Sequence, residues 1–455
     1  MEMILEFLRD VLSQPALLIG IMSCVGLIAL KRPFHKIMTG TLKPILGYLM
    51  LAAGAGVIVS NLDPLGKMIE HGFHITGVVP NNEAIVAVAQ KVLGVETMSI
   101  LVVGLLMNLL IARFTKFKYV FLTGHHSLFM ACLMSAVLGT AGLSGIELIL
   151  VGGFLMGAWS AISPAIGQSY TSKVTDGDEI ALGHFGSLGY YLSAWVAKYV
   201  GKAEESTEDI EIPEKWGFLR DSTLSTALTM IVFYLIAAIA AGSEFVSTLS
   251  GSMSPYLFAV MSAMNFAVGV AIVYSGVRMI LGDLIPAFQG IATKIIPNAI
   301  PAVDCAVFFT YAPTAVVLGF ISSFIGGIIG MLVLGAVGGV LIIPGLVPHF
   351  FCGATAGIYG NATGGRRGAA VGAFLNGLAI TFLPALALPV LGQLGFQNTT
   401  FGDADFAVMG LVLGNAFEWI GMAGIYGVVV IAALVLIIPN FIKTKGKVIN
   451  YVEEE

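Results

Sequence analysis

Apolar segments long enough to cross a bilayer recur along the whole of this 455-residue chain, and no other feature constrains its fold as strongly. They lie near 14–30, 45–60, 97–112, 119–140, 147–165, 223–241, 257–275, 302–320, 324–345, 368–391 and 408–440. That makes eleven, the last long enough to include a surface or re-entrant piece. A helix needs about 20 predominantly apolar residues to span the hydrocarbon, and only helices or closed barrels satisfy their own backbone there. Hydrophobic residues make up 57% of the chain and charged residues 11%, less than half the share of about a quarter in soluble domains. The expected fold is all-α and polytopic, with about eleven transmembrane helices.

Charge placement supports that count. Basic residues cluster at Lys31/Arg32/Lys36, Arg113/Lys116/Lys118, Lys198/Lys202/Lys215/Arg220, Arg278/Lys294, Arg366/Arg367 and Lys443/Lys445/Lys447. The connections near 141–146, 242–256 and 392–407 hold no Lys or Arg and carry Glu244, Asp403 and Asp405 instead. With eleven spans every basic cluster falls on one side, which predicts the N-terminus outside and the C-terminus in the cytoplasm. Lys67 and Lys91 in 61–96 are offset by acidic neighbours. The stretches 31–44 and 277–296, mixed basic and apolar with Pro33 and Pro286, predict amphipathic helices along the membrane surface. The acidic segment 201–221 predicts a cytoplasmic loop. The first apolar run has no small-residue cleavage pattern and is expected to be a retained span. The order of elements suggests two five-helix repeats within a single membrane domain, 1–200 and 257–440, joined by a linking helix at 222–242.

With a net charge of only −5 and no basic stripe, nucleic-acid binding has no support. Cys24, Cys132, Cys305 and Cys352 stand singly in apolar segments and read as small buried hydrophobes, with neither disulfide nor metal site expected. There is no nucleotide-binding P-loop and no soluble catalytic constellation, so no cofactor is implied.

Three polar stations interrupt the apolar sequence: Thr123-Gly124-His125-His126, Gly183-His184 and Asp304. Ionisable groups within membrane segments mark a solute pathway by default. Each also has a plainer reading. His125 and His126 would serve as interface histidines bonded to a neighbouring carbonyl. Asp304, beyond Pro297 and Pro301, would serve as a helix N-cap. His184 sits in a stretch that reads as a re-entrant hairpin packed inside protein. Asn82 and Glu83 would be a surface loop. The glycine-rich Gly353–Arg367 reads as a cytoplasmic turn, with anion binding through its backbone as the alternative. His349 with Phe350 and Phe351 either lines the pathway or packs as aromatics. Glu418-Trp419 fits an interface.

Through these residues the chain resembles the membrane-embedded permease, the IIC component, of the ascorbate-type phosphoenolpyruvate-dependent sugar phosphotransferase system. The matching segments are Lys36–Gly56, Thr123-Gly124-His125, Val174-Thr175-Asp176-Gly177 leading into Gly183-His184, Lys202–Asp209, Gly276-Val277-Arg278-Met279, Ala302–Ala306 and Leu341–Gly345. The resemblance covers essentially the whole length. It implies an eleven-span homodimer in the bacterial cytoplasmic (inner) membrane, with a core domain, a V-shaped dimer-forming domain and a substrate site made partly from re-entrant elements. It implies a transport subunit rather than an enzyme. The solute would be phosphorylated as it reaches the cytoplasm by a separate IIB protein, recharged through IIA, HPr and enzyme I. His125, His184 and Asp304 match the family's substrate-contacting positions.

Four departures stand out within the resemblance. Phe129 and Phe185 occupy positions where the ascorbate pattern has Gln, Asn82-Glu83 corresponds to a Thr-Tyr pair, and Ala55 stands for a Ser. Losing polar partners alters discrimination among polar ligands, and two aromatics can stack on the apolar face of a sugar-like ring. The expected substrate is therefore ascorbate or a related sugar or polyol, contacted by His125, His184, Asp304, Asn82, Glu83, Phe129 and Phe185. The alternative is an ion-coupled secondary transporter of a sugar acid.

Overall fold

The computed structural model describes residues 11, 14–74, 77, 78, 80, 82–210, 222–392 and 400–441. Their helices are α1 (Pro15–Ala29), α2 (Phe34–Gly72), α3 (Asn82–Phe114), α4 (Gly124–Thr140), α5 (Gly145–Thr175), α6 (Ser187–Val200), α7 (Ser222–Ala241), α8 (Ser243–Ser250), α9 (Pro255–Lys294), α10 (Pro313–Ala336), α11 (Leu346–Gly392), α12 (Ala404–Ile420) and α13 (Met422–Phe441). Pro15, Pro255 and Pro313 open their helices, where a missing N–H costs nothing. Among the described residues seven helices are long and apolar enough to cross a membrane, or eight if the pair Thr226–Ala241 and Ser243–Ser250, bent by 117°, is one broken span. The architecture is that of an all-α polytopic membrane protein. Its many exposed Leu, Ile and Val side chains, such as Ile236, Leu332 and Ile431, are what a lipid-facing surface requires.

One set of helices, α1, α2, α7 and α9, packs together. Glycines bring the backbones into contact. A Cβ on Gly47 would stand 2.9 Å from the Gly276 carbonyl oxygen, and one on Gly54 would stand 2.7 Å from that of Gly269. Lys43 and Asp283 add an ion pair at 3.5 Å. This packing corrects one expectation. The stretches 31–44 and 277–296 do not form separate helices; 34–44 begins α2 and 277–294 completes α9. Pro44 and Pro286 each remove a single helical bond without ending the helix, because the neighbouring backbone holds it in line.

The second set comprises α3–α6 and α10–α13. Here the expected spans at 302–320 and 324–345 reduce to one helix, α10, preceded by a short strand and a 3₁₀ turn, Cys305–Thr310. Pro297, Pro301 and Pro313 prevent a helical ladder from running through 297–313, and Gly338 at φ 71° stops α10 short of 345. The missing apolar length lies in α11, which is two arms. Helical geometry fails at Gly364 and Gly365, and the arms 346–363 and 366–392 fold back on one another. Gly353 and Gly377 both abut Ser323 of α10, and Gly360 abuts Gly368. Gly353–Arg367 is therefore not a loop; its only turn is Gly364-Gly365. Gly365 has φ 59°, and a side chain there would run into the carbonyls of Lys202 and Glu205. The predicted segment 408–440 likewise divides at Gly421, φ 63°, into α12 and α13.

The hydrophilic segment at 201–210 straps onto this turn, and 211–221 lies outside the described residues. The Glu208 carboxylate accepts from Thr314 N (3.0 Å), Thr314 Oγ1 (2.9 Å) and Ala315 N (3.2 Å), capping α10. Thr207 N donates to Asn361 Oδ1 at 2.8 Å.

Between the helices lies a three-stranded parallel sheet, β1 (Tyr119–Phe121), β3 (Ile300–Val303) and β2 (Ala181–Leu182), in the order β1-β3-β2. The register pairs Val120 with Pro301, Phe121 with Ala302 and Leu182 with Val303. Strands this short satisfy backbone groups where irregular chain is buried in protein, the condition for non-helical chain at membrane depth.

Candidate functional site

Because the three strands are parallel, their C-terminal ends emerge together. β1 leads into Thr123-Gly124-His125-His126, β2 into Gly183-His184-Phe185 and β3 into Asp304-Cys305. Stations that are far apart in sequence thus meet in one place. Backbone bonds continue the sheet into the site: Leu122 N donates to Ala302 O (2.9 Å) and Gly183 N to Val303 O (2.7 Å). A Cβ on Gly183 would stand 2.6 Å from the Ala302 carbonyl carbon, so this close approach requires glycine. Lys118, ahead of β1, donates through Nζ to the carbonyl of Ala112 at 3.1 Å, closing the end of α3. Partial burial, reinforced by Arg113, lowers its pKa.

His125 Nε2 lies 3.4 Å from Asp304 Oδ2, and its Nδ1 lies 3.3 Å from the Tyr48 hydroxyl on α2. The His125 side chain is 38% exposed and that of Asp304 8%, so the site opens on the His125 side. Asp304 Oδ1 accepts from Ala306 N at 3.1 Å. Asp304 thus serves as the N-cap of the 3₁₀ turn through one oxygen and faces His125 with the other.

His126 and His184 are buried with ring centroids 3.8 Å apart. His126 Nδ1 accepts from Phe185 N (3.3 Å) and His184 Nδ1 from Gly186 N (3.1 Å), with Tyr190 Oη 3.0 Å away. An Nδ1 that accepts an N–H leaves the proton on Nε2. No hydrogen bond among the described residues engages either Nε2, so both rings present a free donor.

Ligand atoms of His126, His184 and Asp403 lie within 4.8 Å of one another, as do those of His184, Asp304 and Cys305, close enough for a metal ion. The tautomers set by Phe185 N and Gly186 N favour hydrogen-bond donation over ligation.

The aromatic candidates differ. Phe129 lies edge-on to His125 at 5.8 Å and tilted against His126 at 5.7 Å. Phe185 is fully buried, stacked on Phe121 at 4.6 Å and beside Phe406 at 5.7 Å, so its ring supports the site wall. Asn82 opens α3; its amide donates to Asp403 Oδ2 (2.6 Å) and accepts from Gly402 N (2.9 Å). Glu83 falls in the same helix, and its side chain lies outside the described residues. His349 is buried away from this cluster, bonded to Ser323 Oγ at 2.9 Å and edge-on to Phe324.

Asp403 and Asp405, which the charge pattern places in the connection at 392–407, are both buried. Asp403 accepts from Asn82 and from Cys352 Sγ (2.9 Å), and its Oδ1 lies 3.9 Å from His184 Nδ1. Asp405 accepts from Ser187 Oγ (2.7 Å), Leu188 N (2.9 Å) and Trp159 Nε1 (3.1 Å), capping α6. The sequence signal for them is Phe401-Gly-Asp-Ala-Asp-Phe406, two acids between small residues just ahead of an apolar run, a helix-start pattern. Tyr48 and Tyr190 carry no comparable signal.

A membrane-spanning helical protein with imidazole donors and carboxylate acceptors converging in its interior, where buried strands lead into helices, belongs to the class of solute permeases. The family is specific: residues 10–405 match the model for the PTS system sugar-specific permease component, and the chain belongs to that family. Among curated proteins it is similar to the ascorbate-specific PTS system EIIC component of Mycoplasma pneumoniae, at 26% identity over 417 residues, covering 78% of this chain. The chain spans 62% of the length of that relative.

Proposed function

We propose that this protein is the membrane transport subunit of a sugar phosphotransferase system, carrying ascorbate or a related sugar or polyol inward while a separate IIB protein, recharged by IIA, phosphorylates it. The observation that carries the reading is the convergence of His125, His184 and Asp304 at the parallel strand ends. Asp304 accepts a solute hydroxyl, and the free Nε2–H groups of His126 and His184 donate to solute oxygens. The subunit itself performs no catalysis. Phosphorylation traps the product, since a doubly charged ester does not re-enter an apolar path. Membership of the permease family and similarity to the ascorbate-specific relative support this reading.

The proposal extends to eleven membrane crossings, with the N-terminus outside and the C-terminus in the cytoplasm of a bacterial inner membrane. It includes two repeats, 1–200 and 257–440, joined by a linking helix at 222–242, and a homodimer. Each repeat contributes one edge of the site, β1 and its histidines from the first and β3 with Asp304 from the second. Glu83 is retained as a candidate contact.

The test is accumulation of phosphorylated product in inverted vesicles given phosphoenolpyruvate and the soluble phosphotransferase proteins, with ascorbate beside a panel of sugars and polyols. Strict dependence on IIB is expected. Uptake without IIB would sink the coupled mechanism in favour of an ion-coupled transporter.

A further inference from the structure

The last turns of α6 present a graded face. Leu192, Trp195 and Tyr199 are exposed, at 37%, 52% and 74%. Lys198 is exposed beside them, and positions 192, 195, 198 and 199 share one side of a helix by their spacing. Lys202, also exposed, follows just past the helix end. Trp195 and Tyr199 meet edge to face, with ring centroids 5.6 Å apart. Lys198 Nζ donates to Tyr170 Oη at 3.1 Å and lies 4.5 Å from the centre of that ring. Its ammonium is thus held in place with two of three N–H groups open. The end of α6 rests on the turn of α11, where Ala197 abuts Gly364 and Gly368, and Gly201 abuts Gly364. Arg366 and Arg367 open the second arm of α11 at this corner, and both are exposed. Arg366 N donates to Glu205 O at 2.8 Å, fixing the first turn of that arm to the strap. Among the described residues no carboxylate lies within ion-pair distance of Lys198, Lys202, Arg366 or Arg367. The strap's own acids do not neutralise them: Glu208 is committed to the cap of α10, and Glu204, Glu205 and Asp209 form no such pair.

We propose that this corner, the C-terminal end of α6 with the turn of α11, binds the phosphate headgroup of an anionic phospholipid at the membrane interface. The inference goes beyond the transport reading and takes from it only the position of the histidine cluster near the bilayer midplane. α6 starts at Ser187, three residues after His184. At a rise of about 1.5 Å per residue, Trp195 lies about 12 Å and Tyr199 about 18 Å along the axis from Ser187. Half of the hydrocarbon core is about 15 Å thick. The two aromatics therefore bracket the hydrocarbon boundary, where amphipathic rings sit by preference. Leu192 falls at the level of the acyl chains, and the four cations fall at the level of the headgroups. Cations placed just beyond an aromatic pair match a phosphate carried on acyl chains, whereas a soluble acidic protein has no use for the apolar half of this face. Guanidinium forks suit phosphate oxygens, and the positive end of the second arm's dipole strengthens the field. Basic clusters between helices at the cytoplasmic surface recognise anionic headgroups by this chemistry.

The experiment reads Trp195 fluorescence in the full chain reconstituted in phosphatidylcholine vesicles. Dibrominated phosphatidylglycerol is titrated in, beside dibrominated phosphatidylcholine as the neutral comparison. Bromine quenches a tryptophan it touches, and the Trp195 share is the wild-type signal minus that of Trp195→Phe. Phosphatidylglycerol should be preferred at this position by about fivefold or more, the gain expected from even one basic residue at an anionic surface. High salt should shrink the preference. The combined variant Lys198→Gln, Lys202→Gln, Arg366→Gln, Arg367→Gln should abolish it. Arg366→Lys with Arg367→Lys, which keeps the charge, should retain most of it. Equal quenching by the two lipids in the wild type, or an undiminished preference in the reconstituted combined variant, would overturn the proposal. Displacement of the brominated lipid by millimolar inorganic phosphate would make the corner a free-anion site and overturn the lipid assignment. A combined variant that keeps its lipid preference but loses IIB-dependent phosphorylation would assign the corner to a soluble phosphoprotein instead. Because quenching is read without IIB or phosphoenolpyruvate, the two readings fail separately. A wild type that prefers phosphatidylglycerol but takes up solute without IIB refutes the coupling and leaves the lipid site.

Discussion

Asp405 provides the sharpest test of the distinction between carboxylates that serve as struts for the fold and those that contact solute. Replacing it by Ala removes the acceptor for Ser187 Oγ, Leu188 N and Trp159 Nε1 at once. The Ser187 hydroxyl can rotate to another acceptor, but the Leu188 N–H and the Trp159 N–H are fixed in direction. An unsatisfied buried donor costs about 1–3 kcal/mol. Trp159 is only partly buried, so its share falls at the lower end, and removing a buried carboxylate returns part of its desolvation cost. The expected net loss is about 2–4 kcal/mol for Asp405→Ala, and less than ~2 kcal/mol for Asp405→Asn, whose amide oxygen still accepts. The assay is denaturant or thermal unfolding in detergent, read beside solute binding on the fraction that remains folded. Stability should fall while the ranking of ligands stays as in the wild type. A variant that keeps its stability but changes its ligand ranking would refute the assignment of Asp405 as a strut.

The remaining predictions concern the strand ends, the strap and the surface. Asp304→Ala and His184→Ala should each abolish uptake while leaving membrane insertion intact; normal uptake by either removes that residue from the site. Gly183→Ala should displace β2 from β3 and lower uptake, because its Cβ meets the Ala302 carbonyl; unchanged transport would mean the strand spacing is not needed. Glu208→Ala should cost about 0.5–2 kcal/mol as the loss of a helix cap, read as a lower unfolding midpoint. Lys43→Ala should change stability by less than about 1 kcal/mol, because the Lys43 side chain of the pair with Asp283 is 54% exposed; a larger, salt-independent effect would show a buried role.

The sequence by itself determined the class of the molecule. Recurrent apolar segments with so few charges leave little but a helical membrane protein, since backbone groups in lipid must be satisfied locally. It also singled out His125, His184 and Asp304, because ionisable groups stand out in such a chain, and the order of its motifs identified the family. Boundaries were less legible wherever proline and glycine compete with hydrophobicity. The segments 302–320 and 324–345 look like two spans by composition, yet Pro301 and Pro313 on one side and Gly338 on the other leave one helix. The arm 346–363 was hidden because its glycines, which look like a loop, serve to let it lie against α10.

Tertiary structure alone decided how the stations meet and which other groups join them. Strands of two to four residues carry no readable periodicity, and their parallel pairing joins segments more than a hundred residues apart. Asp403 reads as a loop carboxylate until Asn82, 321 positions away, closes on it, and Asp405 until Ser187, 218 positions away, does the same. Whether a carboxylate is a solvated surface charge, a strut or a ligand contact depends on how many donors the rest of the fold brings to it. That number is a property of packing between distant helices, and the local sequence does not contain it.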